Sequence, residues 1–275
     1  MRIGLDLGGT TIKMAIVDGG QIYCKKVEPF SVDKSEKDII DQIQEMLRGI
    51  MNTNIRGIGI GVPSVIDAER GIVYNAVNIP SWKKVYLKDI LEKEFHIPVV
   101  VNNDCNCFAF GERYYGEGTA SRNIVCVILG TGVGAGIIIE DKLYTGSNTG
   151  AGEIGSIPYL DNDYEHYCSG HFFRNKYNTT GLEAHKKALD GDADALKQWD
   201  EIGTHIGNLM NVVMFTYDPE VVILGGNISR AFDLFSSKMY DSMNKFPYPE
   251  MVRRLKIRLS HNEDVGLLGA AALVP

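Results

Sequence analysis

Ile3-Gly-Leu-Asp-Leu-Gly-Gly-Thr-Thr-Ile-Lys-Met-Ala-Ile-Val-Asp-Gly-Gly-Gln-Ile-Tyr23 is the stretch on which the fold turns. An apolar run ends in Asp6, and Gly8-Gly9-Thr10-Thr11 turns the chain. A second apolar run closes on Asp18, and Gly19-Gly20 turns it again. The spacing predicts strand, glycine turn, strand, turn, strand: a hairpin rather than a strand feeding a helix. A backbone without Cβ can approach an anion closely, and successive N–H groups in such a turn form a concave anion site. Asp6, at the strand end facing the turn, is placed to hold a hydrated cation. The stretch therefore reads as an edge for phosphate and Mg2+, with an ordinary flexible hairpin as the plain alternative.

The pattern recurs. Ile128-Leu-Gly-Thr-Gly-Val-Gly-Ala-Gly-Ile-Ile-Ile-Glu-Asp-Lys-Leu-Tyr144 again runs from strand to Gly/Thr turn to β-branched strand to acidic turn. Two copies of one hairpin point to two similar halves, with a nucleotide's phosphates between the glycine turns. Gly130-x-Gly132-x-x-Ala135 also matches a dinucleotide fingerprint, but that requires a helix after it, and residues 136–140 read as a strand. The chain has no Gly-Lys-Ser/Thr and so no P-loop.

As a set these motifs become specific. Leu5-Asp6-Leu7-Gly8-Gly9-Thr10 and Leu129-Gly130-Thr131-Gly132-Val133-Gly134 resemble the two phosphate motifs of the actin-like sugar kinases. Gly150-Ala151-Gly152-Glu153-Ile154-Gly155 resembles, more narrowly, the ROK family (repressors, open reading frames and kinases), and the likeness runs over nearly the whole chain. It implies an α/β fold of two actin-like (ribonuclease H-like) domains, with mixed sheets flanked by helices and a cleft between them. The expected domains are 1–104 plus 265–275, and 105–264. It also implies ATP and Mg2+ as cofactors, a hexose as substrate and a homodimer.

Outside the hairpins, helical spacing marks residues 33–50, 87–95, 191–214 and 229–243, and a small-residue helix is expected at 265–273. Apolar strands are expected at 56–62, 99–101, 220–224 and 255–259. Residues 147–177, rich in Gly, Asn and aromatics, read as loop. Strand hairpins followed by helix–strand units give a mixed α/β architecture.

Asp104 ends the strand of residues 99–101 and opens a helix. By residue type alone, a helix N-cap is its first reading. Its second is a general base that takes a hydroxyl proton as that oxygen attacks phosphorus, an effect of roughly 100- to 10,000-fold. The resemblance reverses that order, since Asn103-Asp104 matches the family's sugar-binding residue and base. By likeness Glu153 is a sugar ligand, where a solvated loop acid is the alternative. Asn78, in the aperiodic segment 75–82, is a candidate sugar contact, the alternative being a surface loop anchored by Trp82. Gly225-Gly226-Asn227 resembles the adenosine-side turn. Lys13 is expected to point away from the phosphates and receives no role.

One segment departs from the family. Where relatives carry a zinc-binding His and Cys-rich run, this chain has Ser156 and His166-Tyr-Cys-Ser-Gly-His-Phe-Phe-Arg-Asn175. Structural zinc takes four N/S ligands. His166, Cys168 and His171 could supply three, which leaves a remodelled metal site as the alternative; the expectation is no zinc, with Tyr164, Tyr167, Phe172 and Phe173 packing the loop in its place. Ser156 and Asn175 then stand at positions implied to touch the sugar, which leaves the hexose open.

With 275 residues the chain can build one large domain or two smaller ones. Its net charge of −7 argues against sequence-independent nucleic-acid binding. No leader or ~20-residue apolar span is evident, and the five scattered cysteines suit reduced thiols. A cytoplasmic protein is expected. Three functions remain: an ATP-dependent hexose 6-kinase with Asp104 as base, a non-catalytic sugar sensor of the same family lacking a DNA-binding domain, and, more weakly, another actin-like phosphotransferase such as an acetate kinase.

Overall fold

The structure is a computed structural model that describes residues 1–77, 79–147 and 150–275. In chain order the first elements are β1 (Arg2–Leu7), β2 (Thr11–Asp18), β3 (Gln21–Pro29), α1 (Glu36–Arg48), β4 (Ile58–Val62), β5 (Val65–Asp67), β6 (Ile72–Tyr74), β7 (Lys84–Val85), α2 (Leu87–Phe95), β8 (Val99–Asn103) and α3 (Asp104–Tyr115). Next come β9 (Ile124–Leu129), β10 (Val133–Ile139), β11 (Lys142–Leu143), β12 (Pro158–Tyr159), β13 (Asn162–Asp163), α4 (Tyr164–Cys168), α5 (Gly170–Tyr177), α6 (Gly181–Leu189) and α7 (Ala193–Tyr217). The last are β14 (Val221–Gly225), α8 (Phe232–Met243), α9 (Pro249–Arg254), β15 (Lys256–Leu259) and α10 (Val265–Ala272). Single 3-10 turns lie at Ile154–Ser156 and Ile228–Ala231.

Both large sheets follow one plan. The first has strand order β3-β2-β1-β4-β8, and the second β11-β10-β9-β14-β15. In the first, β1–β2 and β2–β3 are antiparallel, while β1–β4 and β4–β8 are parallel. In the second, β9–β14 and β14–β15 are the parallel pairs. The repeated hairpin of the sequence is thus a repeated topology.

Two compact units result. The first comprises Met1–Ala120, Gly136–Ala151 and His261–Pro275, and the second Ser121–Ala135 and Gly152–Ser260. In the first, Ile3, Leu5, Ile12, Met14, Ile58, Ile60 and Val101 pack against Ile39, Ile43 and Leu47 of α1 and the buried Trp82. The opposite sheet face receives α10 through Ala15, Val17, Leu267, Leu268 and Ala271. That approach is backbone-close: a Cβ at residue 59 would sit 1.7 Å from the Ala270 carbonyl oxygen, so β4 carries glycine there. In the second unit, α7 buries Trp199, Ile202, Ile206, Leu209, Met210 and Val213, and packs on α8 through Phe235 and Met239.

The segment expected to be loop over 147–177 holds two helices, α4 and α5. Each has a side-chain cap: Asp163 accepts from the His166 amide and Ser169 from the His171 amide. The α6 helix, which no apolar stripe marks in the sequence, begins with a full capping box of Thr180 and Glu183. Among the described residues no helix is long and apolar enough to cross a membrane.

Candidate functional site

Parallel strands bring their ends to one sheet edge. In the first unit Asp6 pairs in register with Gly61, Gly61 with Asn102, and Val62 with Asn103. Asp6, the Gly61-Val62 tip and Asn102-Asn103-Asp104 therefore share that edge. Asn103 caps α3, its Oδ1 accepting from the Cys105 amide at 2.8 Å and the Asn106 amide at 3.3 Å. Its Nδ2 donates to the Ser64 carbonyl at 3.2 Å. The capping role open to Asp104 falls to Asn103, and Asp104 becomes the first residue of the helix. Its Oδ1 still accepts from the Cys105 amide at 2.9 Å, which orients the carboxyl.

Asp104 keeps part of its surface exposed, yet protein crowds it on most sides. This desolvation, reinforced by the negative charge of Asp6, pushes its carboxyl up to about 6. Asp6 is raised too, by burial first, while Lys13 pulls it back down. Lys13 Nζ lies 3.7 Å from Asp6 Oδ2. Lys13 therefore lies on the same face as Asp6. Asp6 and Lys13 are direct partners in the β1–β2 register, and residues opposite each other in an antiparallel pair share a face.

The glycine turn between β1 and β2 closes by a bond from the Gly8 amide to the Thr11 carbonyl at 2.9 Å, with the Thr10 carbonyl accepting from Phe30 at 3.0 Å. Gly9 lies in the same turn, partly exposed. In the second unit the equivalent turn closes from the Gly130 amide to the Gly132 carbonyl at 3.0 Å, leaving Thr131 exposed.

The second turn opens onto a cavity of about 550 Å3 within the second unit. Leu182, Trp199, Ile228 and Ala231 supply its apolar lining, and Gly130, Thr131, Arg174, His185, Asn227 and Arg230 its polar lining. Of the Gly225-Gly226-Asn227 turn, Asn227 reaches the cavity. Gly226, at φ +86°, sits so close to β9 that a Cβ would lie 2.3 Å from the Leu129 carbonyl oxygen. Ser229 Oγ closes the turn on the Gly226 carbonyl at 2.8 Å. An apolar slot beside an amide-lined turn suits a nucleoside carrying phosphates.

Glu153 and Ser156 lie on the 3-10 turn at Ile154–Ser156, both exposed. The turn is laid on β10: the Ala135 amide donates to the Gly152 carbonyl at 2.9 Å, and Gly152 has φ +96°. A Cβ there would lie 2.0 Å from the Ala135 carbonyl oxygen, so only glycine permits this seat. Although Glu153 faces solvent, desolvation by the nearby protein, and then the charge of Glu165, raise its carboxyl. Asn78 lies outside the described residues.

His166 and His171 take separate partners. His166 Nδ1 meets Asn162 Nδ2 at 3.2 Å and Asn175 Nδ2 at 3.4 Å, Arg174 Nη2 meets His171 Nδ1 at 3.4 Å, and Cys168 is fully buried. Among the described residues no group of three or more His, Cys, Asp or Glu is placed to hold a metal. Aromatic rings pack this loop. Tyr159 stacks on Tyr164 at 4.2 Å, and its hydroxyl contacts His205 at 3.1 Å and Asn208 at 2.8 Å on α7. Phe172 and Phe173 are buried. Nucleotide-bound Mg2+ asks for less than a protein cage, since one or two carboxylates plus phosphate oxygens and water suffice. Asp6, partly exposed at its strand end, fits that need.

Two sheets of one topology, each ending in a glycine turn, define the actin-like scaffold of the hexokinase class. The match is closer than the scaffold: the ROK family model spans residues 2–275, and the chain belongs to the ROK family. A glucokinase from Halalkalibacterium halodurans is 30% identical, over 99% of this chain and 94% of its own length. A ROK family glucokinase from Streptomyces griseus, solved in complex with glucose and AMPPNP, is 27% identical with a TM-score of 0.84, covering 99% of this chain and 98% of that one. A xylose repressor from Caldicellulosiruptor bescii is 27% identical over 99% of this chain and 77% of the repressor.

Proposed function

We propose that the protein is a sugar kinase that transfers the γ-phosphoryl group of ATP to the 6-hydroxyl of a hexose, glucose-like or an N-acetylhexosamine, with Asp104 as general base. The observation that carries this reading is the sheet edge that sets Asp104 beside Asp6, orients it by the Cys105 amide and raises its carboxyl to about 6. A base of that strength is ionised at neutral pH, yet has a higher proton affinity than an ordinary carboxylate. The Asp104 carboxylate takes the proton from O6 as O6 bonds to the γ-phosphorus and the bond to the ADP oxygen breaks.

The Gly8–Thr11 and Gly130–Gly132 turns supply amides to the phosphates, with Lys13 adding positive charge beside Asp6. Asp6 would hold Mg2+, which when bound neutralises the charge of the phosphate oxygens. The cavity lined by Leu182, Trp199 and Asn227 takes the nucleoside, and Gly225 and Gly226 shape its turn. Asn103 steadies Asp104 and keeps an amide hydrogen for a sugar hydroxyl, while Glu153 accepts from vicinal hydroxyls and Ser156 adds a shorter contact. Phosphoryl transfer depends mainly on positioning and charge stabilisation, which these groups provide.

The matched kinases, with glucose and AMPPNP in one of them, support sugar phosphorylation. The xylose repressor supports a second reading, a sugar-binding sensor without catalysis. ATP consumption against a panel of hexoses and N-acetylhexosamines separates the two: turnover with one sugar is expected, and sugar binding without any turnover would establish the sensor. A cytoplasmic homodimer belongs to the same reading, and light scattering on the purified chain tests its oligomeric state.

A further inference from the structure

Tyr159, on β12, follows the turn that carries Glu153 and Ser156 and reaches α7 with both ring and hydroxyl. The ring lies on Tyr164 at 4.2 Å and meets His205 edge-on at 5.6 Å. The hydroxyl accepts from Asn208 Nδ2 at 2.8 Å, which leaves its O–H to donate to His205 Nδ1 at 3.1 Å. His205 is buried, and that burial holds its imidazole below the ordinary value, so the ring is neutral and one nitrogen accepts. Its proton then sits on Nε2, which faces Glu201 Oε1 at 3.6 Å, longer than a hydrogen bond. Glu201 is engaged by α5, accepting from Lys176 Nζ and from the Tyr177 hydroxyl.

The path from turn to peg is short. The Ile157 carbonyl accepts from the Tyr164 amide at 3.2 Å, and Tyr159 pairs with Asn162 across the β12–β13 hairpin. On the near side Gly152 and Gly155 press the turn on β10, a Cβ at residue 155 lying 2.2 Å from the Val133 carbonyl oxygen. A single 3-10 turn has poor hydrogen-bond geometry of its own, so its flanks set the direction of Glu153 and Ser156. Burying a Tyr, a His and an Asn together costs desolvation that apolar side chains would avoid; what the satisfied network supplies is one orientation. We propose that Tyr159 is a positioning residue for the sugar: its hydroxyl, held between Asn208 and His205, fixes the far end of the Glu153–Ser156 turn and so sets where those two side chains meet the sugar hydroxyls. This rests on the sugar reading of that turn.

Tyr159→Phe keeps the ring stack and removes the hydroxyl. Calorimetric titration of the full chain with glucose and with N-acetylglucosamine should show the better-bound sugar held about fivefold more weakly, the effect of one lost hydrogen bond, while AMPPNP with Mg2+ binds as it does to the wild type. His205→Leu should do the same, and the double substitution no more than either alone, because all three remove one interaction. Unchanged sugar affinity in Tyr159→Phe, whatever its thermal midpoint, would overturn the proposal and leave the bond a role in stability alone. Sugar and AMPPNP weakened together, or fold-changes that multiply in the double substitution, would also overturn it. Should His205→Leu lack a cooperative thermal transition, Tyr159→Phe decides alone. Wild-type protein that binds neither sugar would instead remove the sugar reading of the turn, and the proposal with it.

Discussion

At the scale of single residues the proposed chemistry rests on a carboxyl held away from its ordinary range. Asp104 is at about 6 when folded, against 3.8 as its ordinary value. Between those values the folded chain binds more protons than the unfolded one, so stability falls as pH rises through about 4 to 6. Above that window the whole cost of keeping the charge is present. Asp104→Asn should lower turnover by roughly 100- to 10,000-fold. It should also raise unfolding stability at pH 7.5 by about 1–3 kcal/mol, a range lowered for the group's partial exposure. In urea titrations that gain should vanish near pH 3.5; a variant equally stabilised at both pH values would contradict the raised carboxyl. In the wild type, kcat/KM for the sugar should fall with unit slope below about pH 6, the same group losing its base form. Lys13 is the other residue to test. Lys13→Met leaves Asp6 without its partner and should weaken MgATP affinity about tenfold, read as a rise in KM for the nucleotide with KM for the sugar unchanged.

At the scale of elements, glycine sets how closely backbones approach. Gly59→Ala drives a methyl into the Ala270 carbonyl. Since α10 and β4 are both backbone there, neither can give way as a side chain would. The expected loss is about 1–3 kcal/mol or more, seen as a lower urea midpoint with unchanged slope. The small-residue composition of α10 made this packing legible in the sequence, just as apolar runs broken by Gly-Gly-Thr marked the hairpins. The segment 147–190 was not legible in the same way. Its helices α4 and α5 are short, and their apolar positions are aromatic residues packed on one another, so no 3.6-residue stripe stands out. The Thr180–Glu183 capping box is a usable helix signal in that segment. The motifs marked Asp6, Asp104 and both turns, and the structure places these at strand ends, Asp6 and Asp104 on one sheet edge. That Lys13 shares a face with Asp6 was not legible, because alternation within one strand does not say which face is which; the hairpin register does.

At the scale of the molecule, an acidic chain of net charge −7 is read as binding a polyanionic nucleotide. Global charge opposes that association, so local features must favour it: amides of two glycine turns, Lys13, and Arg174 and Arg230 lining the cavity of the second unit. This distribution predicts where hydrogen exchange will change. With saturating AMPPNP and Mg2+, amides of residues 130–133, 170–182 and 226–231 should slow in the second unit, and those of 8–11 in the first. The packed strands β4 and β14, protected already by burial, should stay as they were. Binding only the native state also raises apparent stability, by about 2.7 kcal/mol at a hundredfold excess over Kd. For a chain of this size that is a shift in thermal midpoint of several degrees. Exchange slowed only in the first unit would leave the cavity without its nucleoside. Uniform slowing everywhere would mean stabilisation without a located contact. Only protection gathered at both turns and along the cavity agrees with the placement of charge and backbone described above, because those are the segments whose amides a triphosphate and its base would cover.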